Sequence, residues 1–286
     1  MTIQQAVLVL SLVSMVCGET ALCQTGTLVR NQGASIPVRR VPDTGQRTDY
    51  TQTFGEDSDY LINPPSLTVN GDGTVADGVT GLLWQKTDGG EMTFAAAIAY
   101  CDTLTLGNQT DWRLPTAREV FGILHHDRLN PALDTSSFTK SAAEYWWSGD
   151  RRVDDSTRIW VANAGGGIGP HPMSETMSAG GTKRFHVRAV CDASPSGRVT
   201  ARFRQEGDST VTDQSTGLMW QRFRPPGTRT WEEALSYGES VNTGGYSDWR
   251  VPTIKELESL NDENRSNPSI DPAAFPGFAA GRYWSS

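Results

Sequence analysis

Alternation and helical spacing of apolar residues divide the chain into short strands and short helices. Thr74 to Asp77 and Gly81 to Gln85 predict a hairpin with Asp77-Gly78 at its turn. Phe94, Ala97, Ile98 and Cys101 fall at i, i+3, i+4 and i+7, which predicts one apolar face of a helix starting at Thr93. Trp231, Ala234 and Leu235 repeat that spacing behind Thr230 and Glu233, a pair that forms a capping box. A second box occurs twice, as Thr116-x-x-Glu119 and Thr253-x-x-Glu256. Pro115 and Pro252 precede the two caps, where a missing amide does no harm. Thr157 to Ala164, the turn Gly165-Gly166-Gly167 and Lys183 to Cys191 predict closing antiparallel strands. Two early helices and a later twisted antiparallel sheet make an α+β module.

The pattern repeats. Gly71-Asp72-Gly73-Thr74-Val75 and Thr80-Gly81-Leu82-Leu83-Trp84-Gln85 return as Gly207-Asp208-Ser209-Thr210-Val211 and Thr216-Gly217-Leu218-Met219-Trp220-Gln221. Asp111-Trp112-Arg113-Leu114-Pro115-Thr116 returns as Asp248-Trp249-Arg250-Val251-Pro252-Thr253, and Asn130-Pro131, Asp134, Phe138 and Trp147-Ser148 return as Asn267-Pro268, Asp271, Phe275 and Trp284-Ser285. The constant spacing, with one inserted residue, predicts a tandem duplication. The expected organisation is a signal peptide (1–23), an extended polar segment (24–65), a first module (66–192), a linker (193–199) and a second module (200–286). The second copy runs only just past Ser285, the counterpart of Ser148, so it is expected to lack its last strands.

Composition narrows the setting. The 286 residues are 37% hydrophobic and 20% charged, enough for two cores, and the net charge of −8 excludes a broad attraction to nucleic acid or anionic lipid. Ala6 to Val16 is an apolar run too short to span a bilayer, so no transmembrane segment is expected; it fits the core of a signal peptide cleaved after Cys23. Cleavage there leaves Cys101 and Cys191, and export favours a disulfide between them. Gly238 stands where the second copy would carry the counterpart of Cys101, so that copy has lost the bond's position.

The order GDGTV…TGLLWQ, AYC, DWRLPTxxE, NPxxD, WWS and VRAVC resembles the Lcl C-terminal domain family, named after a collagen-like bacterial adhesin. The stretch from Tyr100 to Glu119 is also similar to formylglycine-generating, sulfatase-modifying enzymes. The resemblance implies C-type-lectin-like modules, secreted, periplasmic or displayed on the bacterial surface. For the adhesin it implies binding of sulfated polysaccharide, which the acidic balance of this chain disfavours.

The residues shared by both copies, including Trp84, Trp112, Trp147 and the Arg113/Glu119 pair, are read as structure. A ligand site is expected in what the first module adds, a polar, Gly-rich stretch from Asp150 to Lys183. Arg151 and Arg152 supply donors for hydroxyls or acids, Asp154, Asp155 and His171 are further polar groups, and Trp146 offers a face for a sugar. His125-His126-Asp127 is read as a solvated helix end, because its copy is Asp262-Glu263-Asn264 and no metal-binding spacing accompanies it. Gly165 to Gly169 lacks the lysine of a phosphate loop. No cofactor, metal or catalytic residue is expected. The function expected is non-enzymatic binding or adhesion towards a glycan or an extracellular protein; the alternatives are a structural repeat of an extracellular assembly and an enzyme of the formylglycine-generating type.

Overall fold

The computed structural model describes residues 36–175, 185–194 and 196–286. The expected signal peptide and its cleavage site lie outside the described residues. The first half comprises β1 (Ile36–Pro37), a 3-10 turn (Asp57–Asp59), β2 (Leu67–Val69), β3 (Thr74–Asp77), β4 (Leu82–Gln85), α1 (Phe94–Thr103), α2 (Ala117–Gly122), β5 (Tyr145–Arg152), β6 (Asp155–Asn163), β7 (Ile168–Pro172), β8 (Phe185–His186) and β9 (Val190–Asp192). The second comprises β10 (Arg198–Val199), β11 (Phe203–Gln205), β12 (Thr210–Asp213), β13 (Leu218–Gln221), α3 (Trp231–Ser240) and α4 (Ile254–Ser259). The protein is therefore mixed α+β, with sheets predominating. Among the described residues no helix is long and apolar enough to cross a membrane.

Local chemistry explains these boundaries. Asp77 closes the β3–β4 hairpin by accepting from the N–H groups of Val79 and Thr80 (2.9 and 3.3 Å), and Gly81 takes the positive φ of 70° that ends the turn. Thr93, Thr116, Thr230 and Thr253 cap the four helices, the last three with complete capping boxes. On α1, Phe94, Ala97 and Cys101 face inward as the spacing predicts. Ile98 is 39% exposed, a departure from that prediction, because the packed face of the helix is too narrow to include the i+4 position.

Two four-stranded sheets build the first half, ordered β2-β3-β4-β9 and β7-β6-β5-β8. One core cluster joins Val75, Trp84, Val120, Phe138, Trp146 and Val190; the other joins Leu83, Phe94, Trp112, Trp147, Ile159 and Val187. The closing stretch departs from the antiparallel prediction. β9 runs antiparallel to β4, but β8 runs parallel to β5, pairing Tyr145 with Phe185, because the chain splits this region between both sheets. The expected bond between Cys101 and Cys191 is not formed. Both are buried free thiols in the second cluster, and burial pushes each up to about 12, so at neutral pH they pack as small protonated apolar groups.

The second half repeats the hairpin register. Val75 faces Trp84 on β3–β4, and Val211 faces Trp220 on β12–β13. Arg250 grips Glu256 as Arg113 grips Glu119. Among the described residues its sheet has three strands, β11-β12-β13, and Trp284 is 54% exposed where Trp147 is fully buried.

The N-terminal segment packs between the halves. β1 pairs with β10, and Val41 packs against Leu218. Lys255, 3% exposed on α4, donates to the carbonyls of Asp43 (2.9 Å) and Gly122 (2.8 Å), tying the segment, α2 and α4 at one point. Burial lowers its ammonium to about 8. Glu56 is fully buried and accepts the N–H groups of Tyr50 and Thr51. Asp57, buried beside it, accepts the Thr44 hydroxyl.

Candidate functional site

The residues expected to form one site divide into three places. Trp146 is 3% exposed in the core, and its indole N–H donates to Asp88 (3.3 Å). It offers no face to a ligand, which corrects the sequence expectation; its strand is central in a packed sheet rather than part of the polar stretch that follows. Arg151 donates to the Ser156 carbonyl (3.1 Å) and lies 5.8 Å from the centre of the Phe94 ring. His171 on β7 pairs with Glu175 (2.9 Å) against Tyr145 and Phe185. Asp155 accepts the Thr157 N–H (3.1 Å) and pairs with Arg158 (3.2 Å), closing the β5–β6 turn.

Arg152 and Asp154 come together with residues of the second half. They stand at the β5–β6 turn and wall a cleft of about 270 Å³ that α4 and the following loop close from the other side. Ala117 lies at its base, where its N–H donates to Asp150 (2.7 Å), and Trp160 of β6 adds an aromatic wall. The opposite wall carries Glu258, Asn261, Asp262, Glu263, Arg265 and Ser266. The halves touch across it through the Ser266 hydroxyl, which donates to Asp154 (2.9 Å).

Its charges are uneven. Hydrogen bonds from Arg152 and then Ser266 hold Asp154 at about 2, so it stays ionised. Burial pushes Glu258 up to about 7, although Asn261 donates to it (2.6 Å) and pulls the other way. When protonated, Glu258 is both donor and acceptor. Asp262 is lowered against the upward push of burial by donors from Asn264 and Arg265. Carboxyl, amide and guanidinium groups line the cleft and hold one another in pairs, Arg152 with Asp154 and Asn261 with Glu258.

Sequence reasoning missed the half of the cleft from Glu258 to Ser266. The signal was present: Asp262-Glu263-Asn264 replaces the histidine pair of the first copy. That histidine pair is not solvated as expected. Burial lowers His126 to about 4, its ring packs 5.3 Å from Phe121, and its backbone N–H donates to the Thr44 carbonyl of the N-terminal segment (3.0 Å). In the N-terminal segment Glu56 and Asp59 accept from backbone N–H groups of the same segment, those of Tyr50 and Gly55. Among the described residues no group of three or more His, Cys, Asp or Glu is placed to hold a metal.

A sheet-rich α+β protein with a polar cleft between two similarly built halves is the class that fold and site define. The model of the Lcl C-terminal domain matches residues 73–191 and 209–286, and the chain belongs to that family. Comparison with curated proteins finds no match, and comparison with solved structures finds none.

Proposed function

We propose that this is an exported binding protein without enzymatic activity, made of two copies of one C-type-lectin-like module, that takes a hydroxyl-rich, uncharged glycan in the cleft between them. The observation that carries this reading is the cleft wall itself, where Asp154 and Arg152 face Glu258 and Asn261 beside Trp160. Paired planar polar groups next to an aromatic face suit a sugar ring, which presents hydroxyls at its edge and C–H groups on its faces. The carboxylates and the net charge of −8 work against sulfated or other anionic glycans.

The intact protein on an array of neutral and sulfated glycans tests the reading. The expected result is retention of neutral glycans and loss of at least tenfold in affinity, about 1.4 kcal/mol, in the Asp154→Ala/Glu258→Gln double variant. Unchanged affinity in a folded double variant moves the site elsewhere. Silence across the whole array supports the alternative, a repeat that serves length and spacing in an extracellular assembly.

A further inference from the structure

A second cavity, of about 460 Å³, opens at the end of the β5–β6 ladder opposite the cleft. Tyr145 pairs with Asn163 at this end, whereas Arg152 pairs with Asp155 beside the cleft. Three stretches of chain frame the cavity, 130–131, 140–145 and 163–165. Backbone bonds lock them together: Ala132 N–H donates to the Ala164 carbonyl (2.7 Å), and Ala164 N–H donates to the Glu144 carbonyl (2.8 Å). The Ser141 hydroxyl donates to the buried Asp88 and accepts from Ala143 N–H (3.2 Å), which fixes the middle stretch. Groups held on such a frame need little ordering when a ligand arrives.

Two opposite charges stand on this frame without partners. Lys140 is exposed and Glu144 half-buried, and among the described residues neither side chain has a hydrogen bond or ion pair. The Asn163 side-chain oxygen accepts from Gly165 N–H (2.8 Å) and Gly167 N–H (3.2 Å), so its Nδ2 keeps two N–H groups to give. Pro131, Ala142, Ala143 and Ala164 supply short apolar walls. The cavity therefore offers an ammonium and an amide donor to an anion, and a carboxylate to a cation.

The second copy separates the frame from the charges. Phe138 and Trp147 correspond to Phe275 and Trp284, so the residues between them align without a gap. Asn130-Pro131 and Ala142-Ala143 return as Asn267-Pro268 and Ala279-Ala280, but Lys140 and Glu144 return as Gly277 and Gly281. What the frame needs is kept in both copies. The two charges are not part of it.

We propose that this cavity binds a free α-amino acid. The ligand's carboxylate meets Lys140 and Asn163 Nδ2, its ammonium meets Glu144, and its side chain lies against the alanines. A ligand carrying only one charge leaves either Lys140 or Glu144 unmatched, which is the source of specificity. The site stands at the far end of the ladder from the cleft, so it does not rest on the glycan reading.

The full chain is titrated with each of the common α-amino acids, up to millimolar concentration, by isothermal calorimetry. The tightest is then compared with its amide and its N-acetyl form, each of which removes one charge. The expected result is saturable binding of at least one free amino acid, weakened at least tenfold by either cap. Lys140→Gly and Glu144→Gly, which copy the second module, are each expected to weaken binding by a similar factor. Lys140→Met and Glu144→Gln keep the side-chain volume and are expected to do the same with an unchanged melting temperature. The proposal is overturned if no amino acid binds, or if the capped forms bind as tightly as the free one. It is equally overturned if affinity survives in the folded Lys140→Met/Glu144→Gln double variant.

Discussion

Glu258 shows how one residue's surroundings set a measurable property. Its carboxyl is raised from 4.5 to about 7 by burial in the cleft wall. Between those values the folded protein keeps a proton that the unfolded chain has released, so this group's contribution to stability falls as pH rises from about 4.5 to 7. Glu258→Gln removes the titration. Urea unfolding of both proteins is expected to show the wild type losing about 1–3 kcal/mol relative to the variant across that window. A difference that stays constant with pH would mean an ordinary carboxyl. At this scale the sequence was legible where a residue's role is local. Arg113 next to Glu119 and the buried tryptophans Trp84, Trp112 and Trp147 follow from spacing and size. It was illegible where role depends on which strand is central: Trp146 and Arg152 stand six residues apart on β5, one in the core and one in the cleft.

Helix starts were the most legible elements, because a capping box is a contact between residues three apart. The four caps at Thr93, Thr116, Thr230 and Thr253 all form where the sequence predicts them. In α4 the Thr253 hydroxyl accepts from Glu256 N–H (3.2 Å), while Glu256 accepts from Thr253 N–H (2.9 Å) and from Arg250. Thr253→Ala is therefore expected to lower stability by about 1–2 kcal/mol, with Thr253→Ser close to wild type, in thermal unfolding. Equal melting temperatures for all three would show that tertiary packing alone holds α4. Strand pairing was less legible. Phe185–His186 and Val190–Asp192 are near neighbours in sequence, yet they join different sheets in opposite senses, a choice made by contacts with strands far back along the chain.

Over the whole molecule, the arrangement of the two halves was hidden from the sequence, since the segment that joins them is polar. It packs because its polar groups find partners, as Lys255 does at the carbonyls of Asp43 and Gly122. Lys255→Met keeps the volume but leaves both carbonyls without that donor, at an expected cost of about 2–3 kcal/mol. Those acceptors belong to the N-terminal segment and the first half, so calorimetry is expected to resolve two transitions in the variant where the wild type shows one. A single, unshifted transition would mean that Lys255 does not couple the halves.

The pairing of β1 with β10 has a mechanical consequence. Ile36 faces Val199 and Pro37 faces Arg198, and Val38 N–H adds a bond to the Gly197 carbonyl (2.6 Å). The chain thus enters and leaves its first half through one short antiparallel ladder. A pull on the chain before Ile36 and after Val199 meets the outermost pair first and loads its hydrogen bonds one after another, like the teeth of a zip. The ladder then yields at low tension, and extension begins at this junction while the sheets behind it are still unstretched.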